Sequence, residues 1–518
     1  MKQAQDSSFF ARVETAGDKL RTESVGDYSI PDYQPEIRRV LRVRTRVLPS
    51  GRYRRGGRTE CAGLCVHTVL YSTDLGQLAA LDVTSEYSFS FAAEDEALVW
   101  LALPQIEGVS CRLGGPRRLS IRAALTLTPH VYGEVNLCEE DGELCAADTV
   151  KLTHPLRTSE LSLLSKGDLE YHDTKPLDAG MTLLASDGTA EVLETQMTER
   201  GAEVKGEIVC SLLLLGDGDL PTSMLHRIPF ETTLECEKPS EGRLFASATL
   251  SSFEARVASE EGGGTRLLID AGIEIDAELL TPKLQSPVVD AFSLKSPLVA
   301  RKEIIPYTEL LGTHVHRQAI VCETTRSESD SEDACAVLDT GAAAHIQSVT
   351  RENDTLRVTG ECRVDMALAL GSSSAEGRPD YMAASYASPF SALIPLPDWL
   401  SEDAELEILP RVSEVRGRIE PAGLSCEAQL VLTLRAARRR MIVLAVGMEE
   451  GGESSAELSE DETVAVYPSE RDSVWSIARR YRISPERIAA QNGIPHESLG
   501  DADLPSSLDG RARLLLMK

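Results

Sequence analysis

The sequence predicts a mainly β protein, built from three related antiparallel β-sandwich or open-barrel domains in tandem and a small βααβ domain. Three observations predict this fold: a strand pattern that occurs three times, a change of hydrophobic period near the C-terminus, and an acidic stretch between these two parts. A chain of 518 residues is also too long for one hydrophobic core, because domains usually close at about 100–200 residues. Several folded units are therefore expected.

The strand pattern has the same layout each time it occurs. A short run of alternating polar and apolar residues is followed by a polar turn, and then by a glycine that opens a longer alternating run. The three glycines are Gly63, Gly206 and Gly360. Their spacing is that of whole domains and not of a solenoid repeat, so each copy is predicted to be a domain.

A second strongly alternating strand follows in each copy. These strands are RRLSIRAALTLT from Arg117, TRLLIDAGIEIDAEL from Thr265 and GLSCEAQLVLTLRA from Gly423. Alternation with a period of two buries one face of a strand and exposes the other, which is typical of antiparallel sheets that are solvated on one side. The predicted ranges are an N-terminal segment at 1–27 and β domains at 28–165, 180–300 and 335–448.

Two acidic stretches are predicted to be linkers. Residues 449–462 read EEGGESSAELSEDE, without a basic residue. Polar stretches that repel themselves stay solvated and extended, so this segment is predicted to be a flexible tether. The stretch ESDSED from Glu328 is interpreted as another linker, because it lacks the glycine that a calcium loop requires.

After the tether, the hydrophobic period changes from 2 to 3.6 residues. Val474, Ile477, Ala478 and Tyr481 share one helical face, and Asp472 precedes it as the predicted N-cap. This pattern predicts a first helix in the C-terminal domain.

A second helix follows directly. Ser484 is its predicted cap, Pro485 fits its first turn, and Gly493 fits its C-terminal end. The strands VAVY before and RARLLLM after complete a βααβ domain, predicted at 463–518.

The composition limits the function. The sequence has 53 Lys and Arg against 82 Asp and Glu, and a net charge of −29 opposes nucleic-acid binding. No apolar run approaches the roughly 20 residues of a membrane helix, and no signal-peptide core is present, so a cytosolic protein without a membrane span is expected. The eleven cysteines include no C-x-x-C pair, which predicts buried thiols in a reducing compartment, no metal site and no cofactor.

Two motifs invite a catalytic or metal interpretation. Asp339, Thr340 and Gly341 spell the Asp-Thr-Gly of aspartic proteases, but such enzymes need two of these carboxylates and the motif occurs once. His314 and His316 could share a strand face, but no nearby carboxylate or cysteine completes a metal site. We therefore expect no enzymatic activity and assign no catalytic residue.

Arginines are concentrated in the first β domain. Residues 38–58 hold nine arginines and no acidic residue, and Arg42, Arg44 and Arg46 lie on one face of a predicted strand. They form either a docking stripe for an anionic partner or a strand face that pairs with carboxylates of the same chain.

The stretch VAVYPSERDSVWSIARRYRISPERIAAQNGI resembles the LysM family. Arg471 stands where that family has glycine, and the loop from Asn492 to Gly510 is longer than is usual in the family. The residues that match the family pattern are Tyr467, Asp472, Ser473, Val474, Trp475, Ile477, Ala478, Tyr481, Asn492 and Gly510.

This resemblance implies a shallow groove that binds either N-acetylglucosamine-containing glycans, such as peptidoglycan, or a protein partner. Trp475 is interpreted either as a ligand platform or as a core residue. The residues that the resemblance assigns to the groove are Arg471, Asp472, Ser473, Trp475, Gly493, Ile494 and Pro495.

The β domains resemble the SPOCS family of spore-coat and cortex morphogenesis proteins. IPDYQPEIRRVLRV is similar to that family's Pro-Glu-x-x-Pro-Asp-Ile-x-x-Val-Leu motif, and DAFS at Asp290 to its Asp-Ala-Tyr-Ser motif. The resemblance implies a scaffold of spore-envelope assembly in the mother cell, at the forespore surface. It implies the coat's basement-layer ATPase or other coat proteins as partners. The β domains are expected to mediate either self-association or contacts with coat layers.

Overall fold

The computed structural model describes residues 8–12, 19–101, 103–137, 144–216, 221–236, 242–259, 264–325, 333–371, 380–451, 462–469, 472–494 and 513–517. Strands make up most of them, which confirms the predicted mainly β class. The first strands are β1 Ser8–Arg12, β2 Leu20–Ser29, β3 Ile37–Arg55, β4 Arg58–Thr73, β5 Leu78–Ala92, β6 Leu98–Leu101, β7 Gln105–Gly115, β8 Arg118–Leu127, β9 Pro129–Asn136, β10 Thr149–Thr153, β11 Leu156–Leu177 and β12 Thr182–Thr198.

The remaining strands follow in chain order, with two short helices near the C-terminus. They are β13 Gly201–Leu215, β14 Pro221–Leu234, β15 Arg243–Ser259, β16 Thr265–Gln285, β17 Val288–Ser293, β18 Leu298–Thr325, β19 Ala334–Glu352, β20 Thr355–Leu370, β21 Asp380–Pro395, β22 Glu405–Glu420, β23 Gly423–Glu450, β24 Thr463–Val466, α1 Val474–Tyr481, α2 Pro485–Asn492 and β25 Leu514–Met517. In the described ranges, no helix has the length and apolar character to cross a membrane.

Three groups of strands share one topology. In each, one sheet contains three consecutive strands, and a second sheet contains the strand before them and two later strands; in unit one, β6 lies between in the chain and belongs to another sheet. The pairs of sheets are β3-β4-β5 with β2-β8-β7, β12-β13-β14 with β11-β16-β15, and β19-β20-β21 with β18-β23-β22. A separate apolar core fills each pair of sheets. The body is therefore three related sandwiches, which we call units one, two and three.

Each unit begins one strand earlier in the chain than its predicted range. β2, β11 and β18 each pair with a strand of their unit, although they begin before the predicted starts at residues 28, 180 and 335. Their mixed polar and apolar sequences do not show the regular alternation of the other strands. A pattern search therefore misses them.

The acidic stretches also differ from their predicted ranges. Glu449 and Glu450 are the last residues of β23 and pair with Val299 and Leu298, so the body extends into the predicted tether. Residues 452–461 of the tether and 326–332 of the other predicted linker lie outside the described residues.

An eight-stranded sheet connects the units. Its order is β10-β17-β18-β1-β9-β6, and β23 and β22 join it through β18. β18 and β23 are 28 residues long each. These two strands pair along their whole length. One half of the pair belongs to the third sandwich, and the other half belongs to the connecting sheet.

The glycines that align the repeats occupy equivalent positions in the three units. A Cβ there would collide with a backbone carbonyl of the preceding strand and with the aromatic ring opposite. Each glycine also lies beside a β-bulge in that preceding strand. The glycine–aromatic pairs are Gly63–Tyr87, Gly206–Phe230 and Gly360–Phe390. Glycine lets the ring cover the backbone, so the repeated pattern has a structural cause.

The units meet at their first sheets. One apolar cluster takes buried residues from β3 and β4 of unit one, β12 and β13 of unit two, and β19 and β20 of unit three. Leu41, Leu213 and Leu338 represent the three units in it. The three sandwiches are thus joined by a shared core and not only by linkers.

Candidate functional site

The first turn of α1 is built from serines. Ser473 is the N-cap, its side chain accepts a hydrogen bond from the backbone N–H of Ser476, and the Ser476 hydroxyl accepts one from the N–H of Ser473. This reciprocal capping box satisfies two backbone donors. The prediction that Asp472 caps the helix is therefore wrong by one residue.

Asp472 instead closes the turn before the helix. Its carboxylate accepts hydrogen bonds from the N–H and the hydroxyl of Ser469, each at 2.9 Å, and from Arg480 at 2.9 Å. Burial opposes ionisation of this carboxyl, but the hydrogen bonds from Ser469 and the charge of Arg480 lower the pKa of Asp472. Its oxygens are already engaged within the domain.

The second helix has the predicted ends. Ser484 caps it, Pro485 occupies its first turn, and Gly493 ends it at a φ of 61°. The side chain of Asn492 then links α2 to β25, because its amide nitrogen donates to the carbonyl of Leu515 at 2.8 Å and its oxygen accepts from the N–H of Leu515 at 2.8 Å. This bond holds the last strand beside the helix.

Trp475 faces the β body and not open solvent. Its indole Nε1 donates to Asp290 Oδ2 at 2.9 Å, and its ring meets the edge of Phe292 with centroids 5.1 Å apart. Arg479 Nη1 reaches the same carboxylate oxygen at 3.3 Å, and Lys302 Nζ reaches it at 3.0 Å. A buried carboxylate of the body thus binds the first helix of the C-terminal domain.

The DAFS segment of β17 explains this contact. Its side chains alternate, so that Asp290 and Phe292 face the helical domain, while Ala291 packs with Ala300 and Ala445 of the body. Phe292 is 1% exposed and belongs to the apolar core of the C-terminal domain. The motif is recognisable in the sequence, but no local sequence pattern predicts that this segment contacts the C-terminal domain.

The predicted groove residues are not all available to a ligand. Asp472 and Ser473 are committed to the turn and the cap, and Ile494 is buried in the domain core. Trp475 is half-buried against β17, while Gly493 is exposed. The other two groove residues, Arg471 and Pro495, lie outside the described residues.

The arginines of β3 do not form a docking stripe. Arg42 and Arg44 both form ion pairs with Asp339 of unit three, and Arg46 binds Asp187 of unit two at 2.9 Å. All three arginine side chains are largely buried. Of the two interpretations of this strand face, these contacts support pairing with carboxylates of the same chain, because the charges are used between the units.

The Asp-Thr-Gly motif belongs to the same cluster. Burial by itself would raise the pKa of Asp339, but the charges of Arg42 and Arg44 lower it to about 2. A Cβ at Gly341 would collide with the guanidinium of Arg42, so the glycine makes room for the ion pair. A carboxylate fixed between two guanidinium groups does not share a proton as a protease pair must. The motif is explained by packing and charge.

A second buried charge cluster joins units two and three. Arg435 Nη1 donates to Glu278 Oε2 at 2.7 Å, and a second nitrogen of Arg435 donates to the hydroxyl of Tyr132 in the connecting sheet. Arg435 is 6% exposed and Glu278 2%. Because removing one partner would leave an unpaired buried charge, this cluster fixes the relative position of the two units.

The predicted histidine pair and the cysteines show no arrangement for metal binding. His314 and His316 lie two residues apart on β18. The pKa of His314 is lowered mainly by burial and, to a smaller extent, by the neighbouring His316. Over the described ranges, no group of three His, Cys, Asp or Glu side chains is placed to hold a metal ion. The described cysteines are free thiols, and six of them are buried.

Residues 469–499 match the family model of the LysM domain. The match contains both helices and the turns around them, so the chain carries a LysM domain after its β body. No curated protein and no solved structure matches the chain. The resemblance of the β units to the SPOCS family stays a prediction.

Proposed function

We propose that this LysM-bearing chain is a non-enzymatic scaffold that presents one recognition domain on a rigid three-unit β body. The observation that carries the proposal is the seat of the LysM domain on β17. Phe292 of the body completes the LysM core, and Asp290 binds both Trp475 and Arg479. A domain held in this way has a fixed orientation relative to the three units.

We propose a protein partner as the ligand of the LysM domain. The indole of Trp475 is engaged by the body, and Arg471 replaces the glycine of the family's sugar-binding turn. Both features reduce the surface that a flat sugar ring could use. They leave Gly493, at the end of α2, exposed for a partner.

We propose spore-envelope assembly as the process, with the coat's basement-layer ATPase or another coat protein as the partner. The support is the resemblance of IPDYQPEIRRVLRV and DAFS to SPOCS motifs, followed by one LysM domain. The proposed location is the mother-cell cytosol at the forespore surface. The buried pairing of Asp339 supports the proposal that the chain is not a protease.

Peptidoglycan is the second candidate ligand. The match of residues 469–499 to the LysM family favours it, because the family resemblance implies binding of N-acetylglucosamine-containing glycans.

Binding by the full chain separates these candidates. Purified chain is incubated with insoluble peptidoglycan in a sedimentation assay and with the immobilised coat ATPase in a capture assay. The control is a chain that ends at Gly451 and lacks the LysM domain. Capture by the ATPase that needs the LysM domain supports the protein-partner proposal. Sedimentation without capture supports the glycan candidate, and failure of both assays contradicts the scaffold proposal.

A further inference from the structure

Three cysteines meet in the core of unit three. Cys322 on β18, Cys362 on β20 and Cys426 on β23 belong to one apolar cluster, and each is at most 1% exposed. Cys322 and Cys426 lie directly opposite each other in the β18–β23 pair. Among the described residues, Cys210 is the one cysteine in the core cluster of unit two. A single buried thiol acts as a small apolar side chain, whereas thiols in contact can react with one another.

The two sheets of unit three come close together at Cys322. The hydroxyl of Tyr386 on β21 donates to the backbone carbonyl of Cys322 at 3.0 Å. On the same two strands, Gln318 Nε2 donates to the backbone carbonyl of Ser391 at 3.3 Å. These hydrogen bonds join β18 of one sheet to β21 of the other. The side chain of Cys322 therefore lies at a point where the sheets touch.

The sulfur of Cys322 is in contact with the sheet that carries Cys362. It accepts hydrogen bonds from the thiol of Cys362 and from the hydroxyl of Ser388. Cys362 and Ser388 are direct partners in the β20–β21 register, so both contacts come from one place on that sheet. A disulfide can form only where two cysteine side chains point toward each other across a short gap. Two thiols joined by a hydrogen bond meet this condition.

Cys322 is the more acidic thiol of this pair. Its pKa is lowered, mainly by the hydrogen bond from Cys362, although burial opposes its ionisation. The pKa of Cys362 is raised by the same hydrogen bond and by burial. The thiolate is the nucleophile in thiol–disulfide exchange. Cys322 is therefore the residue that attacks a small disulfide first.

Cys322 also lies where the fold can open locally. It is close to Thr325, the last residue of β18, and its strand partner Cys426 is close to Gly423, the first residue of β23. The ends of strands open at a much lower free energy than the middle of a core strand does. A small oxidant can thus reach Cys322 without global unfolding of unit three.

We propose that Cys322 and Cys362 form a disulfide when the chain meets an oxidising low-molecular-weight disulfide, and that this bond ties the two sheets of unit three together. The thiolate of Cys322 attacks the small disulfide, which gives a mixed disulfide and releases one small thiol. Cys362 then attacks the sulfur of Cys322 in the mixed disulfide and releases the second small thiol. In each step the proton of the protein thiol goes to the small thiolate that leaves. Two protein thiols are oxidised, and one small disulfide is reduced by two electrons.

The bond does not depend on the ligand of the LysM domain or on the proposed process. In the reducing cytosol proposed for this chain, Cys322 and Cys362 are expected to stay as thiols. In oxidising surroundings the new bond closes the loop of chain between β18 and β20. Closing such a loop restricts the unfolded chain and stabilises the folded one.

The test is the position of disulfides after oxidation of the full chain. The folded chain is incubated with cystamine, a small disulfide, until no further thiol is lost. The remaining thiols are alkylated in denaturant, and the digested chain is analysed by mass spectrometry. The expected product is a pair of peptides joined through Cys322 and Cys362. Cys322→Ala is expected to abolish this product, whereas Cys210→Ala, which removes a buried thiol from unit two, is the matched control and is expected to retain it.

The stability of the oxidised chain gives a second measurement that needs no variant. The urea midpoint of the unaltered chain is expected to rise after oxidation and to return to its first value after reduction with dithiothreitol. Three results would overturn the inference: an unaltered chain that keeps both thiols, a bond from Cys322 to Cys426 in place of Cys362, or an oxidised chain whose midpoint does not rise. Circular dichroism of each variant checks that it is folded.

Discussion

Asp339, the first residue of the Asp-Thr-Gly motif, lies in a buried cluster of ion pairs between two units. Its carboxylate is 4% exposed and is bound by Arg42 and Arg44 from another unit. The Asp-Thr-Gly letters were visible in the sequence, and so were the arginines. Their pairing was not, because the two segments lie almost three hundred residues apart and only the packing of the units brings them together.

Asp339→Ala is expected to lower the free energy of unfolding by about 3–5 kcal/mol, because it leaves two buried guanidinium groups without a counter-charge. Urea unfolding followed by circular dichroism measures the change. The matched control is Asp403→Ala, which removes an exposed carboxylate 3.9 Å from Arg438 and is expected to change stability by less than about 0.5 kcal/mol. Equal effects of the two substitutions would contradict the role given to Asp339.

The same carboxylate predicts a pH dependence. Its pKa in the folded chain is about 2, below its ordinary value of 3.8. At a pH between these values the unfolded chain binds the additional proton, so stability is lost as the pH falls from about 4 to about 2. Unfolding measured across that range is expected to show a smaller loss for Asp339→Asn than for the unaltered chain. A variant that follows the unaltered chain throughout would refute the assignment.

Among the strands, those with regular polar–apolar alternation could be predicted from the sequence. Strands that belong to two sheets along their length could not. Gly63, Gly206 and Gly360 aligned the middle strands of the three first sheets, because each glycine serves the same contact with an aromatic ring. The sequence of β18 does not predict this strand, because one half faces the core of unit three and the other half belongs to the connecting sheet. A strand that changes its neighbours along its length has no single alternation.

In the LysM domain, the helices were predicted but the seat of the domain was not. Helix periodicity and the second cap were sufficient to place α1 and α2. The N-cap of α1 is Ser473, one residue after the predicted Asp472, because Asp472 binds Ser469 in the turn before the helix. The contact of Trp475 with Asp290 joins distant segments of the chain, and local sequence patterns carry no information on it.

Gly206→Ala is expected to lower the free energy of unfolding by about 1–3 kcal/mol, since a methyl group there overlaps the carbonyl of Glu191 and the ring of Phe230. Gly108→Ala is the control, because nothing lies within 4 Å of its Cβ position. Denaturant unfolding measures both variants. A Gly206→Ala chain as stable as the control would show that the ring does not require the glycine.

Asp290→Asn is expected to loosen the LysM domain from β17, because a neutral amide no longer attracts Arg479 and Lys302. Hydrogen exchange of the α1 amides is expected to become faster, and the emission of Trp475 is expected to shift to longer wavelength. The control is Asp82→Asn, an exposed change on β5. Unchanged exchange in α1 would contradict the anchoring role of Asp290.

At the scale of the whole molecule, charge and apolar packing together make one body of three units. The Arg42–Arg44–Asp339 cluster joins units one and three, and Arg435 with Glu278 joins units two and three. An apolar cluster shared by all three lies among their first sheets. Tandem domains joined only by linkers would not share interior residues in this way.

The unaltered chain is therefore expected to unfold its three units in a single transition, seen alike by far-ultraviolet circular dichroism and tryptophan emission. Glu278→Ala leaves Arg435 buried without its counter-charge and is expected to separate this transition into two. Glu254→Ala, at an exposed site in the same unit, is the control and is expected to keep one transition. Separate transitions in the unaltered chain would show that the units are independent.

The continuous pairing of β23 with β18 has a mechanical consequence. The LysM domain follows the end of β23 in the chain, so a pull that releases the domain from its seat on β17 reaches the body at the end of this strand. A load directed along the strand acts in shear on a long ladder of backbone hydrogen bonds, which resist together, whereas bonds at a peeling end would yield one after another. The attachment is suited to withstand tension where the recognition domain is anchored.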